Sequence, residues 1–136
     1  IPLKTADDFM EIGMGVWEGC VNSELESEHT EQYRNFWEDP EHFEVEGAES
    51  FAQVQSRALR MLEEILAAHK GESVLIVTHT VVIKVLMAYF EGRAMNKLWD
   101  LPYIHPTCLC KIEFTDGNAK ILLHGDISHY DKNPTG

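Results

Sequence analysis

The amino-acid sequence predicts an α/β fold, a three-layer sandwich in which helices cover a mostly parallel central sheet. The first observation is an apolar run, Val74–Val77, of the kind found in strands that are buried on both faces. The second is an amphipathic helix before it, with apolar residues at 3.6-residue spacing between Ser50 and His69. The third is another apolar segment, Val81–Glu91, which follows a short polar turn and stops at Gly92, as helices often do.

Length and composition indicate one globular domain covering residues 1–136, because 136 residues with 44% hydrophobic and 25% charged content are ordinary for a soluble protein. No apolar run reaches the length of a membrane span, so no membrane partner is expected. The net charge of −12 argues against a nucleic-acid partner, which requires a basic surface. Three cysteines and no signal peptide favour free thiols in a reducing cytoplasm.

The first third of the chain is predicted to be loop and short helices. Residues 1–10 form an extended lead-in, and Phe9–Gly19 has three glycines within seven residues, which favours a loop defined by its backbone. A plain turn anchored by apolar side chains is the alternative, and a dinucleotide-binding loop is disfavoured because no strand leads into it. Residues 20–47 form an acidic cap subregion with one or two helices broken at Asp39-Pro40. Its aromatic residues either pack inward or line a pocket mouth.

The remaining elements follow from capping and turn signals. Ser50 and Gln53 fit a capping box at the start of the long helix, and Lys70-Gly71 ends it. A further turn of helix is predicted at Met95–Asp100. Thr107–Phe114 and Ala119–His124 are predicted to pair as a hairpin around Asp116-Gly117, and residues 125–136 to be loop.

The residues with the most chemical potential are His79, Glu11 and Glu49. His79 stands where a buried strand ends and a helix begins, and in open α/β sheets this edge binds ligands while the free N–H groups of the helix attract anions. A histidine with a carboxylate can act on a phosphate ester, since the imidazole stabilises phosphoryl charge and the carboxyl group protonates the leaving oxygen. A histidine that only caps a helix is the open alternative.

A metal site is not expected, nor is any cofactor. His105, Cys108, Cys110, His124 and His129 are poorly spaced for zinc, and a Cys-x-Cys pair on a strand shares the apolar face of Ile112 and Phe114. The sequence has neither the glycine-flanked serine of an α/β-hydrolase nor a P-loop.

Three segments together resemble the histidine phosphatase superfamily, the phosphoglycerate-mutase-like proteins. They are Phe9–Gly19, Ala48-Glu49-Ser50 with Arg57 further along its helix, and Val74–Thr80, in this order. Asp126-Ile127-Ser128-His129 also resembles the end of the family pattern, so the resemblance covers residues 1–130.

The resemblance implies a role for each matching residue. Glu11 matches the acidic residue that donates and accepts the proton, and His79 matches the second histidine, which binds the phosphoryl group. Thr80 stands where the family usually has glycine, and its N–H with that of Val81 is expected to bind phosphate. Ala48 also replaces a common glycine. The substrate is expected to be a small phosphate ester; the α-ribazole phosphatases and broad phosphomonoesterases are both compatible groups.

One departure from the family is large. The nucleophilic histidine of the family lies in an Arg-His-Gly motif on its first strand, whereas this sequence has no Arg-His pair and its arginines stand in other contexts. The chain therefore resembles the C-terminal part of a family member, a fold incomplete at its N-terminus. Its remainder is expected upstream in the gene, in another chain as a complementing N-terminal segment, or cut away. The chain alone is expected to be inactive.

Three hypotheses about the function are compatible with the sequence. Glu11 and His79 are 79 − 11 = 68 positions apart, which resembles the compact phosphatases that act through a phosphohistidine. A phosphoglycerate mutase is one alternative, although those enzymes carry longer insertions here. A non-catalytic module that binds phosphoryl groups is the other. A homo-oligomer is possible in each case.

Overall fold

The computed structural model describes residues 1–130. Its helices are α1 (Asn22–Glu28), α2 (Thr30–Glu38), α3 (Phe51–Ala68) and α4 (Thr80–Glu91), and its strands are β1 (Leu109–Thr115) and β2 (Asn118–Asp126). Short 3₁₀ turns lie at Asp7–Phe9, Gly15–Trp17, Pro40–His42 and Met95–Lys97. Within this part of the chain, no helix combines the length and apolar character that crossing a bilayer requires.

Helices α3 and α4 form the core of the structure. Helix α3 begins as predicted: the Ser50 hydroxyl accepts from the Gln53 N–H at 3.1 Å, and the Gln53 side chain accepts from the Ser50 N–H at 2.8 Å. This reciprocal capping satisfies two N–H groups that the first turn leaves without helical partners. The buried face of α3 carries Phe51 and Val54, which join one apolar cluster with the buried residues of α4.

Helix α4 holds the following loop through a buried lysine. The Lys84 side chain is only 3% exposed, and its ammonium donates to the carbonyls of Asp100 at 2.8 Å and Pro102 at 3.1 Å. Burial lowers the pKa of Lys84, because the charged form loses its hydration. The two carbonyl contacts compensate for part of this cost and fix the loop against the first half of the helix.

The acidic subregion forms two helices, α1 and α2, and α2 ends before Pro40 as predicted. Its aromatic residues mainly pack inward: the Phe36 ring lies 5.2 Å from Phe43, 5.1 Å from Phe51 and 5.5 Å from Trp99. The Trp99 indole N–H also donates to the Phe36 carbonyl at 2.6 Å. These contacts attach the subregion to the start of α3.

Strands β1 and β2 form the predicted antiparallel hairpin. Thr115 pairs with Asn118, and the two residues between them have φ values of 49° and 80°, as a tight two-residue turn requires. Cys110 and Ile112 are half-buried on one face, and burial raises the pKa of the Cys110 thiol. Strand β2 continues to Asp126, two residues beyond its predicted end. Residues 131–136 of the predicted terminal loop lie outside the described residues.

The segment predicted as the central strand differs from expectation. Residues 74–78 form neither a helix nor a strand, and the one sheet within residues 1–130 is the β1–β2 hairpin. Leu75 is 79% exposed and Val77 is 88% exposed, whereas Ile76 and Thr78 are half-buried. The prediction of burial on both faces is wrong for this part of the chain, because alternate side chains point to opposite sides and one side is uncovered. The mostly parallel sheet is not confirmed.

Candidate active site

The Glu11 carboxylate lies at the N-terminus of α4. One of its oxygens, Oε1, accepts from the adjacent Ile12 N–H at 3.0 Å, and the other, Oε2, accepts from the Val81 N–H at 3.2 Å. Val81 comes two residues after His79, which is the N-cap residue of α4. The structure therefore brings Glu11 to the start of the helix that His79 caps, across 70 positions of sequence.

His79 and Thr80 are exposed, whereas Val81 is buried. The extended backbone of His79, with φ −113° and ψ 166°, turns the chain from the preceding segment into the helix. Just before it, the Thr78 hydroxyl donates to the Phe9 carbonyl at 2.7 Å, which ties this turn to the glycine-rich loop. The imidazole and Thr80 thus face solvent, while the Val81 N–H is occupied by Glu11.

Glu49 lies in the loop before α3 and binds Arg57 rather than Glu11 or His79. The Arg57 guanidinium donates from Nε to Glu49 Oε2 at 2.8 Å and from Nη2 to Glu49 Oε1 at 2.9 Å. The Arg57 guanidinium lowers the pKa of the Glu49 carboxyl group, and Glu49 in turn raises the pKa of Arg57. A bidentate pair of this kind is stronger and better oriented than a lysine–carboxylate contact.

Arg57 also contacts the loop that carries Glu11. Nη1 donates to the Asp8 carbonyl at 2.7 Å, and Nη2 donates to the Glu11 carbonyl at 3.3 Å. The sequence alone assigned no role to Arg57, because each of these contacts joins two residues more than forty positions apart. The available signal was a carboxylate just before α3, Glu49, followed by a guanidinium in the second turn of that helix, Arg57.

The residues weighed for a metal site have separate partners. His124 Nδ1 lies 3.1 Å from Glu91, His129 Nε2 lies 2.9 Å from the Thr107 carbonyl, and Cys110 Sγ accepts from the Gly125 N–H at 3.3 Å. Burial lowers the pKa of His124, which favours the neutral imidazole. Among residues 1–130, the ligand atoms that converge within 4.8 Å belong to a surface group, Asp39, Glu41 and His42, and such exposed groups are common without an ion.

The arrangement at α4 combines an exposed imidazole, a helix N-terminus and a carboxyl group. An imidazole and a helix dipole can stabilise negative charge, and a carboxyl group can transfer a proton. Together they suit a reaction in which an anionic group is held while an oxygen is protonated.

This chain is similar to a known protein family and to a solved structure. The family model described as "Histidine phosphatase superfamily (branch 1)" matches residues 1–127. The solved structure of Bacillus stearothermophilus YhfR superposes with a TM-score of 0.89 and 37% identity, over 91% of this chain and 61% of that one. This similarity confirms an α/β fold of that kind.

Two curated relatives carry phosphatase names. Phosphoserine phosphatase 1 of Hydrogenobacter thermophilus is 32% identical over 93 residues, 68% of this chain and 44% of the relative. Metal-independent phosphoserine phosphatase of Arabidopsis thaliana is 30% identical over 95 residues, 65% of this chain and 40% of the relative. The chain therefore spans less than half the length of these relatives.

Proposed function

The chain belongs to the histidine phosphatase superfamily, branch 1, and we propose that the full-length gene product hydrolyses small phosphate monoesters through a phosphohistidine intermediate. Here the full-length gene product means the protein that contains these 136 residues with whatever precedes or follows them. Residues 1–136 belong to one catalytic domain, in which residues 20–47 form a cap. The names of two relatives favour phosphoserine or a similar alkyl phosphate as substrate.

The observation that carries this proposal is the hydrogen bond from the Val81 N–H to Glu11 Oε2. It holds a proton-transferring carboxyl group at the helix end where His79 is exposed. Phosphate esters require both charge stabilisation and a proton for the leaving oxygen, and these two residues provide them. When the phosphoryl group binds, Glu11 turns towards the leaving oxygen and releases the Val81 N–H, which then joins Thr80 and His79 around the phosphoryl oxygens.

The reaction proceeds in two displacements. A histidine outside these 136 residues attacks phosphorus in line, the bond from phosphorus to the ester oxygen breaks, and Glu11 gives that oxygen its proton. The ionised Glu11 then takes a proton from water, whose oxygen attacks the phosphohistidine and releases inorganic phosphate. His79 stabilises the transferring group in both steps. No metal is required, because protein cations and N–H groups supply the positive charge.

The rest of the domain also completes the sheet. In this proposal residues 74–78 form a central strand of a mostly parallel sheet, paired with strands outside the described residues. Leu75 and Val77, 79% and 88% exposed here, then lie on a covered face. The 136-residue chain alone has no phosphatase activity, since it lacks the nucleophile.

The test is turnover of 4-nitrophenyl phosphate and phosphoserine by the full-length gene product and two variants. His79→Ala is expected to reduce kcat/KM by about 10²–10³ for both substrates, the effect of losing one aligned charge-stabilising group. Glu11→Gln is expected to reduce phosphoserine turnover by about 10²–10⁴, because glutamine cannot transfer the proton.

His69→Ala is the matched control. His69 is the C-cap residue of α3, at the opposite end of this helix from Glu49, and it makes an exposed contact with Glu72. Its loss is expected to leave turnover unchanged. Phosphate binding without turnover by the wild type would instead indicate a binding module. Full activity of both His79→Ala and Glu11→Gln would refute the assignment of the site.

A further inference from the structure

We propose that Glu49 and Arg57 are positioning residues that set the orientation of the Glu11 carboxyl group for proton transfer. This inference rests on the proposed function and goes beyond it, because neither side chain acts on the phosphoryl group itself. Their role follows from four hydrogen bonds that connect Arg57 of α3, and Glu49 just before it, with the loop between Asp8 and Gly13.

Arg57 holds the loop by its backbone. Its Nη1 donates to the Asp8 carbonyl at 2.7 Å, and its Nη2 donates to the Glu11 carbonyl at 3.3 Å. Both acceptors are main-chain oxygens, so the contacts fix where the backbone of the loop lies rather than one mobile side chain. The Arg57 side chain is 15% exposed, which limits competition from water.

Glu49 holds the other end of the same loop. Its Oε1 accepts from the Gly13 N–H at 2.9 Å, and its own N–H donates to the Gly13 carbonyl at 2.8 Å. Because Glu49 also forms the bidentate pair with Arg57, the guanidinium and the carboxylate form one unit that contacts the loop on both sides of Glu11.

Glu11 is therefore held at two points. Its carbonyl oxygen is bound by Arg57 from α3, and its carboxylate is bound by Val81 at the start of α4. A displacement of the loop changes the position of the carboxyl group relative to His79. A misplacement of about 1 Å at a reacting group can reduce catalysis by about 10², so the bond network controls the proton transfer.

The test compares leaving groups in the full-length gene product. 4-Nitrophenolate leaves without a proton, whereas the serine alkoxide of phosphoserine needs one, so only phosphoserine hydrolysis depends on a well-placed acid. Arg57→Lys keeps the charge but loses the planar fork that reaches two carbonyls and a carboxylate. It is expected to reduce kcat/KM for phosphoserine by about 10–100-fold and for 4-nitrophenyl phosphate by less than about threefold. The comparison uses kcat/KM because this constant reports the first displacement and not the later attack of water, in which Glu11 acts as a base for both substrates.

Three variants make the comparison specific. Arg60→Lys is the matched control, because Arg60 lies one turn along α3, also contacts Asp8, and is 64% exposed. It is expected to behave as wild type on both substrates. Glu49→Gln, which keeps an acceptor for the Gly13 N–H, is expected to show the Arg57→Lys pattern. Adding Arg57→Lys to Glu11→Gln is expected to cause little further loss, since the acid is already absent.

A readout without turnover separates positioning from activity. Hydrogen exchange at the Val81 amide, which donates to Glu11, is expected to accelerate in Arg57→Lys and Glu49→Gln but not in Arg60→Lys. Equal losses of kcat/KM on both substrates, or unchanged exchange at Val81, would overturn the inference while the proposed function stands. A wild-type protein that hydrolyses neither substrate would overturn both.

Discussion

Gly15 is the glycine of the loop Phe9–Gly19 that tolerates a side chain least. Its φ is +55°, and a Cβ added there would lie 2.2 Å from the Glu46 carbonyl oxygen and 2.3 Å from the Ala48 nitrogen. These neighbours are main-chain atoms, so no side-chain rotation relieves the overlap. We predict that Gly15→Ala separates the loop from residues 46–48 and displaces Glu11 from α4.

The magnitude follows from the contacts that would be lost. The left-handed conformation costs a non-glycine residue about 1–2 kcal/mol. Relieving the overlap also breaks the hydrogen bond from the Val16 N–H to the Glu46 carbonyl, 3.0 Å long, and the bridge between Met14 and Ala48. Each lost bond costs about 1 kcal/mol or more when its groups stay unpaired, so the total is about 3–5 kcal/mol of unfolding free energy. This is a large share of the ~5–15 kcal/mol that stabilises a typical domain.

Gly19→Ala provides the matched control. Gly19 has φ +80°, but nothing lies within 4 Å of an added Cβ, so only the conformational cost of about 1–2 kcal/mol applies. Urea unfolding of the full-length gene product, followed by tryptophan fluorescence, measures both variants. Equal losses of unfolding free energy for the two substitutions would refute the steric argument.

Two further predictions concern charged groups. Since Arg57 depresses the folded pKa of Glu49, the stabilisation from that carboxylate is complete above its ordinary pKa of 4.5 and is lost as the pH falls through the lower folded value. The urea midpoints of wild type and Glu49→Gln are therefore expected to converge in acid. Lys84→Met leaves the Pro102 carbonyl without its donor and is expected to cost about 1–3 kcal/mol in urea unfolding. Because burial lowers the folded pKa of Lys84, the contribution of this group to the free energy of unfolding rises as the pH approaches its ordinary pKa of 10.5. The loss of unfolding free energy in Lys84→Met relative to wild type is therefore expected to widen as the pH rises.

Features determined by neighbouring residues were predictable from the sequence. The capping box at Ser50 and Gln53 involves residues three apart, and the Asp116-Gly117 turn depends on two residues that adopt positive φ. Helix α3 was predicted to within one residue at each end because its apolar spacing and its caps agree. Local structure of this kind needs no knowledge of the rest of the fold.

The internal structure of the candidate site was not predictable in the same way. The Glu11 contact with Val81 spans 70 positions, and the Arg57 contacts with Asp8 and Glu11 span 49 and 46. No local pattern specifies which carbonyl a guanidinium reaches, because that depends on how α3 packs beside the loop. The resemblance to a family indicated Glu11 and His79. It gave no function to Arg57, the arginine that holds the loop in which Glu11 lies.

The failed prediction at Val74–Val77 concerns the same site. Strand β1 alternates, with Cys110 and Ile112 half-buried between exposed neighbours, and alternation is the pattern of a strand covered on one face. Val74–Val77 does not alternate in sequence, yet in the structure only one of its sides is covered. An apolar run of this kind with an uncovered side favours association with other chains, because exposed apolar patches mark interaction or aggregation sites. The run leads directly into His79, so in the proposed full-length fold the contacts that cover Leu75 and Val77 also fix the imidazole that follows them. In the proposed full-length fold, the contacts that pair this segment into a sheet therefore also position the phosphate site.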